Sequence, residues 1–170
     1  MKLKLAFYVL TGALIVASPA LGAAKNGLNE VFDDWEAHAV NGNDTTCYIG
    51  SRPTKQEGKY TTRGPAYVLV THRPKEKSFN VVNVEAGYAY KDGSDVTVAI
   101  GSHTFTFFTQ GGQAWARDSA TDAALVKAMR AGATMTVVGT SSRGTRTADT
   151  YSLKGFTAAY QAISKACGVK

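Results

Sequence analysis

Two cysteines and three histidines are the residues of this chain best suited to bind a metal or to act as nucleophile and base. Zinc sites need thiolates and imidazoles at short, regular spacing. Cys47 and Cys167 lie far apart, and the sequence contains no Cys-x-x-Cys or His-Glu-x-x-His motif. The histidines, separated by 34 and 31 residues, are His38, His72 and His103. We therefore predict neither a metal site nor a cofactor.

The chain also lacks the local motifs of common hydrolytic chemistries. A nucleophile elbow requires Gly-x-Ser-x-Gly, and the segment 139–144 (Gly-Thr-Ser-Ser-Arg-Gly) is one residue too long. Asp33 and Asp34 resemble a paired-carboxylate site, but adjacent residues of a strand point to opposite faces. His72 lies on the apolar face of a candidate strand and is predicted to be partly buried and hydrogen-bonded. We therefore expect no catalytic residues.

The first residues have the pattern of a secretory signal peptide. Lys2 and Lys4 precede an uncharged apolar run over residues 5–17, and small residues follow it. The run is shorter than the roughly 20 residues that cross a bilayer. We predict that residues 1–22 are a cleaved signal peptide and that residues 23–170 form one domain without a transmembrane anchor.

Export into an oxidising compartment changes the expectation for the two thiols. An exported protein with two cysteines is most simply explained by one disulfide, here between Cys47 and Cys167. On the chain-entropy model, a cross-link that closes so long a loop contributes about 4 to 5 kcal/mol. Two buried free thiols and intermolecular pairing are the alternatives.

From Trp35 onward, short β-branched and aromatic runs are separated by turn signals, which is typical of antiparallel β proteins. In the clearest run, Val96, Val98 and Ile100 alternate with polar or small residues, and Gly101-Ser102 fits a two-residue hairpin. The candidate strands cover residues 35–40, 46–50, 67–72, 79–85, 95–101, 103–109, 113–117, 134–139 and 149–153. The predicted fold is mainly β, an antiparallel β-sandwich of about nine strands.

Two short helices interrupt this pattern. Residues Ser119 to Asp122 match a capping box, and apolar residues follow on one side as far as Gly132. A second apolar stripe at helical spacing consists of Phe156, Ala159, Tyr160, Ile163 and Cys167. We therefore predict a C-terminal helix whose apolar face packs on the sheet and carries Cys167.

The charge pattern argues against a nucleic-acid partner. Removal of a leader containing Lys2 and Lys4 lowers the formal net charge from +6 to +4, and no run of five or six like charges occurs. The most loop-like stretch, Ser51 to Gly64, is predicted to be a mobile surface feature.

The closing residues of the chain resemble those of a known family. Residues 150–160 (Thr-Tyr-Ser-Leu-Lys-Gly-Phe-Thr-Ala-Ala-Tyr), followed by Cys167, are similar to the closing motif of the invasion-associated locus B family. The resemblance is supported by Trp35, Cys47 and the segments 125–132 and 135–137. It implies an exported envelope protein of a Gram-negative bacterium with a largely β fold, in a family of which some members are linked to host-cell entry. It supplies no catalytic set.

These observations favour a non-enzymatic binding protein in the periplasm, at the outer membrane or outside the cell. Its expected partner is a protein or another component of the envelope. An inhibitor of an envelope enzyme, which would insert the stretch Ser51 to Gly64 into a cleft, is the first alternative. A hydrolase assembled from distant Ser, His and Asp residues is the second.

Overall fold

The computed structural model describes residues 27–40, 42 and 44–169, so the predicted signal peptide lies outside the described residues. The strands are β1 (Asn29–Phe32), β2 (Trp35–Val40), β3 (Thr46–Ser51), β4 (Lys55–Gly58), β5 (Tyr67–Arg73), β6 (Ser78–Glu85), β7 (Asp95–Ile100), β8 (His103–Gln110), β9 (Gln113–Trp115), β10 (Thr134–Thr140) and β11 (Arg146–Ser152). The helices are α1 (Ser119–Ala131) and α2 (Phe156–Ala166).

All these strands belong to one antiparallel sheet with the order β1-β2-β3-β5-β6-β9-β8-β7-β10-β11-β4. The prediction of a mainly β, antiparallel fold with two helices, one of them C-terminal, is confirmed. The predicted sandwich is not confirmed, because hydrogen bonding runs through a single sheet of eleven strands and not through two packed sheets.

The physical reason for this difference is that the sheet curls until its two ends meet. After β3 the chain crosses directly to β4 at the opposite end of the sheet order. Hydrogen bonds then join the ends: the Asp34 backbone N–H, between β1 and β2, donates to the Lys154 carbonyl after β11 at 3.3 Å, and the Trp35 indole N–H of β2 donates to the Ser152 carbonyl of β11 at 3.0 Å. A curled sheet buries one face of its inner strands, as a sandwich does, so both give the same alternating pattern.

The strands absent from the prediction are β1 and β4, the two edges of the sheet. All four residues of β4 are exposed, and in β1 only Phe32 is partly covered. The stretch Ser51 to Gly64, predicted as a loop, therefore contains an edge strand that pairs with β11. Edge strands are often polar and short, so they lack the apolar alternation that identifies the others.

The buried faces follow the predicted alternation. Val96, Val98 and Ile100 of β7 are buried, and the register Ile100 to His103 confirms the two-residue turn at Gly101-Ser102. The apolar stripe of α2 packs on the core face of β2 and β3. Its first residue, Phe156, meets the Trp35 ring edge to face at 4.9 Å.

The N-cap of helix α1 lies one residue before the predicted capping box. Asp118 is the N-cap, and its carboxylate accepts a hydrogen bond from the Thr121 backbone N–H at 2.7 Å. Asp122 is buried and faces the sheet, where its Oδ1 accepts a hydrogen bond from the Val82 backbone N–H at 2.9 Å. Strand β9 pairs with β6 only as far as Asn83. The Asp122 carboxylate therefore accepts the hydrogen bond of the next β6 residue, Val82, beyond the end of that pairing.

Replacing Asp122 by asparagine should stabilise the fold at neutral pH. Burial raises the pKa of Asp122 to about 6 from an ordinary value of 3.8, although the Val82 N–H opposes this change. The carboxylic acid is harder to ionise in the folded protein than in the unfolded chain. The contribution of Asp122 to folding stability is therefore present below the unfolded pKa and is lost as pH rises through the folded pKa. Asparagine keeps the acceptor oxygen without the charge, so we expect Asp122→Asn to gain about 1 to 3 kcal/mol near pH 7.

Chemical denaturation of both proteins across the pH range measures this difference. The gain should shrink as pH falls towards about 4, where the aspartic acid of the folded wild type is neutral. Burial lowers the pKa of His72 below its ordinary value of 6.5, so its stabilising contribution is lost as pH falls below that value. This effect is common to both proteins. A difference that does not change with pH would show that the Asp122 charge is not destabilising.

Candidate functional site

A groove of about 470 Å³ lies on the side of β1, β2, β3 and β5 that points away from the core. We call it the outer groove. On β2 the core face carries Trp35, Ala37 and Ala39, so the intervening residues face the groove. Its strand residues are Val31, Glu36, His38, Tyr48, Gly50, Ser51, Tyr67 and Leu69. Because these side chains stand on paired strands, the groove is part of the rigid framework.

The floor of the outer groove depends on a glycine in the middle of β3. Gly50 pairs with Glu36 on one side and with Leu69 on the other. A Cβ atom at this position would lie 2.9 Å from Leu69 Cδ2. The Leu69 side chain therefore lies beside the space that a side chain at position 50 would occupy. Because Gly50 has no side chain, a depression remains between β2 and β5.

Aromatic rings form the walls on both sides of this depression. His38 and Tyr48 are cross-strand partners, and their rings stack with centroids 5.0 Å apart at an angle of 26°. On the other side, the Arg52 guanidinium lies 5.0 Å from the centre of the Tyr67 ring. Flat aromatic surfaces combined with an exposed cation are common in binding surfaces, because they provide contact area at low entropic cost.

Charges of both signs surround the outer groove. Glu36 lies 3.4 Å from His38, and Asp33 forms an ion pair with Lys154 at 2.9 Å. Asp33 has a φ of 50° in the turn between β1 and β2, and both it and Asp34 line the groove. The expectation that these two carboxylates alternate along a strand is therefore wrong, since both lie in the turn.

The disulfide predicted between Cys47 and Cys167 is present, with the Cα atoms 6.0 Å apart. It joins β3 to the C-terminal end of α2 and lies beside His72, which pairs with Cys47 across the sheet. The Cys167 Sγ atom lies 3.9 Å from the His72 carbonyl oxygen. The cross-link therefore holds α2 against the core face of the sheet, opposite the outer groove.

His72 is hydrogen-bonded, as its place on the apolar face predicts, and it is fully buried, whereas the sequence predicts partial burial. The Asn80 backbone N–H donates to its Nδ1 at 3.1 Å, and its Nε2 lies 3.3 Å from the Ser164 hydroxyl. Tyr160 donates to the Asn80 side chain at 2.6 Å and covers the imidazole edge. This network fastens α2 to β5 and β6.

The direction of these hydrogen bonds is the reverse of a catalytic serine-histidine pair. A histidine that activates serine accepts the hydroxyl proton at one ring nitrogen and donates from the other to a carboxylate. In His72, Nδ1 accepts from a backbone N–H, so the neutral ring carries its proton on Nε2 and donates to Ser164. This arrangement positions the helix and does not generate a nucleophile.

The other histidines lie at the surface. His38 is half-buried in the wall of the outer groove, and His103 is exposed after the β7–β8 turn. Within residues 27–40, 42 and 44–169, no three His, Cys, Asp or Glu side chains are grouped so that they could hold a metal ion. Helices long and apolar enough to cross a membrane are likewise absent from the described part of the chain.

Sequence reasoning missed a buried ion pair at the far end of β4. Arg63 donates two hydrogen bonds to the Asp149 carboxylate, at 2.7 and 2.5 Å, and a third to the Ala86 carbonyl. Burial alone would lower the pKa of Arg63, but the hydrogen bonds and charge of Asp149 raise it above its ordinary value. The Tyr60 and Tyr88 rings lie over the guanidinium at 5.6 and 4.9 Å.

These features define a class of protein: one curled antiparallel sheet, a helix cross-linked to its core face and a preformed groove on its outer face. The chain belongs to the Invasion associated locus B (IalB) protein family, whose family model matches residues 35–164. The match extends from Trp35 in β2 into α2, which confirms the resemblance of the closing residues. Neither the curated proteins nor the solved structures contain a match to this chain.

Proposed function

We propose that this chain is an exported, non-enzymatic binding protein of a Gram-negative envelope, and that it acts in the periplasm or at the cell surface. The outer groove is the binding site, and a protein segment is its ligand. The observation that carries this proposal is the groove itself, a preformed depression with aromatic walls and charged rims on a rigid sheet.

Support for export comes from the disulfide. Structural disulfides persist in oxidising compartments and are rare where thiols are kept reduced. The bond between Cys47 and Cys167 joins elements far apart in sequence, with a separation of 120 residues. The positively charged, apolar first segment of the chain favours the same compartment.

Support for binding without catalysis comes from the residues best suited to chemistry. His72 and Ser164 are hydrogen-bonded in the non-catalytic direction, and both carboxylate oxygens of Asp149 are bound by Arg63. These groups hold the fold together. The outer groove offers contact surface, hydrogen-bonding groups and charge, which are the requirements of recognition.

A polypeptide fits this site because of the edge strand beside it. Among the described strands β1 is an outermost one, and its Val31 is 71% exposed at the rim of the groove. An extended segment can add to such an edge through backbone hydrogen bonds and place side chains in the adjacent groove. Arg52 on one rim and Glu36 on the other provide partners for both charges of a peptide.

Capture from envelope extracts with matched variants tests this proposal. Arg52→Ala/Tyr67→Ala removes one wall of the outer groove. Arg117→Ala/Phe108→Ala removes a similar pair, in which the guanidinium lies 5.9 Å from the ring centre, away from the groove. We expect a protein captured by the wild type and by the Arg117/Phe108 variant to be lost from the Arg52/Tyr67 variant. Equal capture by all three would contradict the assignment.

One observation favours an enzyme inhibitor as the second candidate. Strand β4 is fully exposed and is fixed at both ends, by the hydrogen bond from Thr54 to Thr150 and by the ion pair of Arg63 with Asp149. A rigid, extended segment of this kind can enter an active-site cleft. If the protein is an inhibitor, it should capture one enzyme and lower the activity of that enzyme. The Lys55→Ala/Glu57→Ala variant should no longer capture the enzyme, while the Arg52/Tyr67 variant should still capture it.

A further inference from the structure

A second candidate site lies beyond the other end of β4, where two cavities of about 360 and 450 Å³ share Lys59 and Thr145 in their linings. One is closed on its inner side by Arg63 and Tyr88, and the other reaches the β11 residue Arg146. We call the two together the basic cleft. The outer groove ends before β4 begins, and the basic cleft begins at Gly58, the last residue of β4. The two sites share no lining residue, so they are separate.

The basic cleft gathers positive charge without a matching negative charge. Lys59, Arg143 and Arg146 line it, and all three are exposed. None of them forms an ion pair with another described residue, and no Asp or Glu belongs to the lining of either cavity. Like charges brought together in this way repel one another, so an anion bound between them would be stabilised.

The negative charge closest along β11 is already neutralised. Asp149 lies two residues beyond Thr147, which lines the cleft, but its carboxylate is buried and held by both terminal nitrogens of Arg63. The side chains of this pair are only 3% and 4% exposed. The three exposed cations therefore face solvent without competition from this carboxylate.

The turn that carries two of these cations is held in shape by its own hydrogen bonds. The Gly144 backbone N–H donates to the Ser141 carbonyl at 2.8 Å, and the Thr145 N–H donates to the Ser141 hydroxyl at 3.1 Å. Gly144 has a φ of +83°, which closes the turn between Arg143 and Arg146. A site on a preorganised turn loses less entropy when it binds a ligand.

Hydroxyl groups complete the lining. Thr61, Thr62 and Ser142 are exposed in the lining of the cavity of about 360 Å³, and Thr145 belongs to the lining of both cavities. Hydroxyls donate hydrogen bonds to anionic oxygens, and guanidinium groups match the paired oxygens of a phosphate. Carboxylates, which would repel such a group, are absent from this lining.

We propose that the basic cleft binds a phosphate group, with Arg143, Arg146 and Lys59 as its cationic ligands. The site is additional to the outer groove and does not depend on it. The phosphate belongs either to a free anion or to the headgroup of an anionic lipid. The two sources present the same chemistry to the cleft.

Two probes and two matched variants test the proposal. Inorganic phosphate is titrated into labelled protein while the amide signals of residues 142–146 are followed by NMR. Vesicles of phosphatidylcholine with and without phosphatidylglycerol are used in a sedimentation assay. Arg143→Gln/Arg146→Gln removes two charges from the cleft, and Lys127→Gln/Lys165→Gln removes two exposed charges from the helices.

We expect the wild type and the helix variant to bind at least one phosphate-bearing probe, and the cleft variant to bind it at least about tenfold more weakly, because charge-assisted hydrogen bonds are lost. Binding of inorganic phosphate alone identifies a free anion as the ligand, and binding that requires phosphatidylglycerol identifies a lipid headgroup. A wild type that binds neither probe, or two variants weakened equally, would overturn the proposal.

Discussion

Replacing Cys47 and Cys167 together by alanine should lower the free energy of unfolding by about 4 to 5 kcal/mol. The disulfide connects residues 120 positions apart, so its removal frees most of the described chain to sample open conformations when unfolded. The folded state should keep its sheet, because α2 still packs on β2 and β3. Denaturant titration of the double variant and of the oxidised wild type measures the difference.

Reduction provides the matched control for this experiment. A reducing agent should lower the stability of the wild type to that of the Cys47→Ala/Cys167→Ala variant and should leave the variant unchanged. Hydrogen exchange should become faster in α2 than in β7, because the cross-link ends on α2 while β7 lies elsewhere in the sheet. Unfolding free energies that agree within about 1 kcal/mol would contradict a stabilising role for the bond.

The second large effect is expected at the buried ion pair. Asp149→Ala leaves the Arg63 guanidinium buried without its carboxylate, so the fold should lose about 3 to 5 kcal/mol of stability. Without Asp149, burial lowers the pKa of Arg63, but a guanidinium starts so far above neutral pH that Arg63 is expected to remain charged. The double variant Arg63→Met/Asp149→Leu removes both charges and keeps apolar volume, and it should recover most of the loss.

An exposed ion pair in the same protein shows how much of this effect depends on burial. Arg117 contacts Asp95 at 2.9 Å, but their side chains are 59% and 54% exposed. Asp95→Ala should therefore cost less than about 1 kcal/mol. Thermal or denaturant unfolding of both single variants gives the comparison. Equal losses at Asp149 and Asp95 would show that burial of the pair does not determine its contribution.

The local pattern of the sequence was sufficient to predict the elements that bury apolar side chains. Alternation identified β7, and the helical stripe identified α2, because one face of each is buried. The two thiols predicted the cross-link, since an exported chain with one pair of cysteines has one intramolecular pairing available. These inferences depend on the residues of each element and not on the path of the chain.

The arrangement of the sheet could not be predicted in the same way. The edge strands β1 and β4 bury little, so they leave no periodic signal, and the crossing from β3 to β4 decides that one sheet closes on itself. The sites depend on the same long-range contacts. Arg63 and Asp149 are 86 residues apart, and the outer groove depends on Gly50 lying between Glu36 and Leu69 on neighbouring strands.

The disulfide links the C-terminal helix covalently to the sheet, and we propose that the protein is exported. The intact mass of the protein isolated from its native cells, alkylated before and after reduction, tests both statements together. We predict the mass of residues 23–170 less two hydrogens, with no alkylation until the protein is reduced. A protein that retains residues 1–22 and takes up alkylating reagent at both Cys47 and Cys167 without reduction would contradict the account.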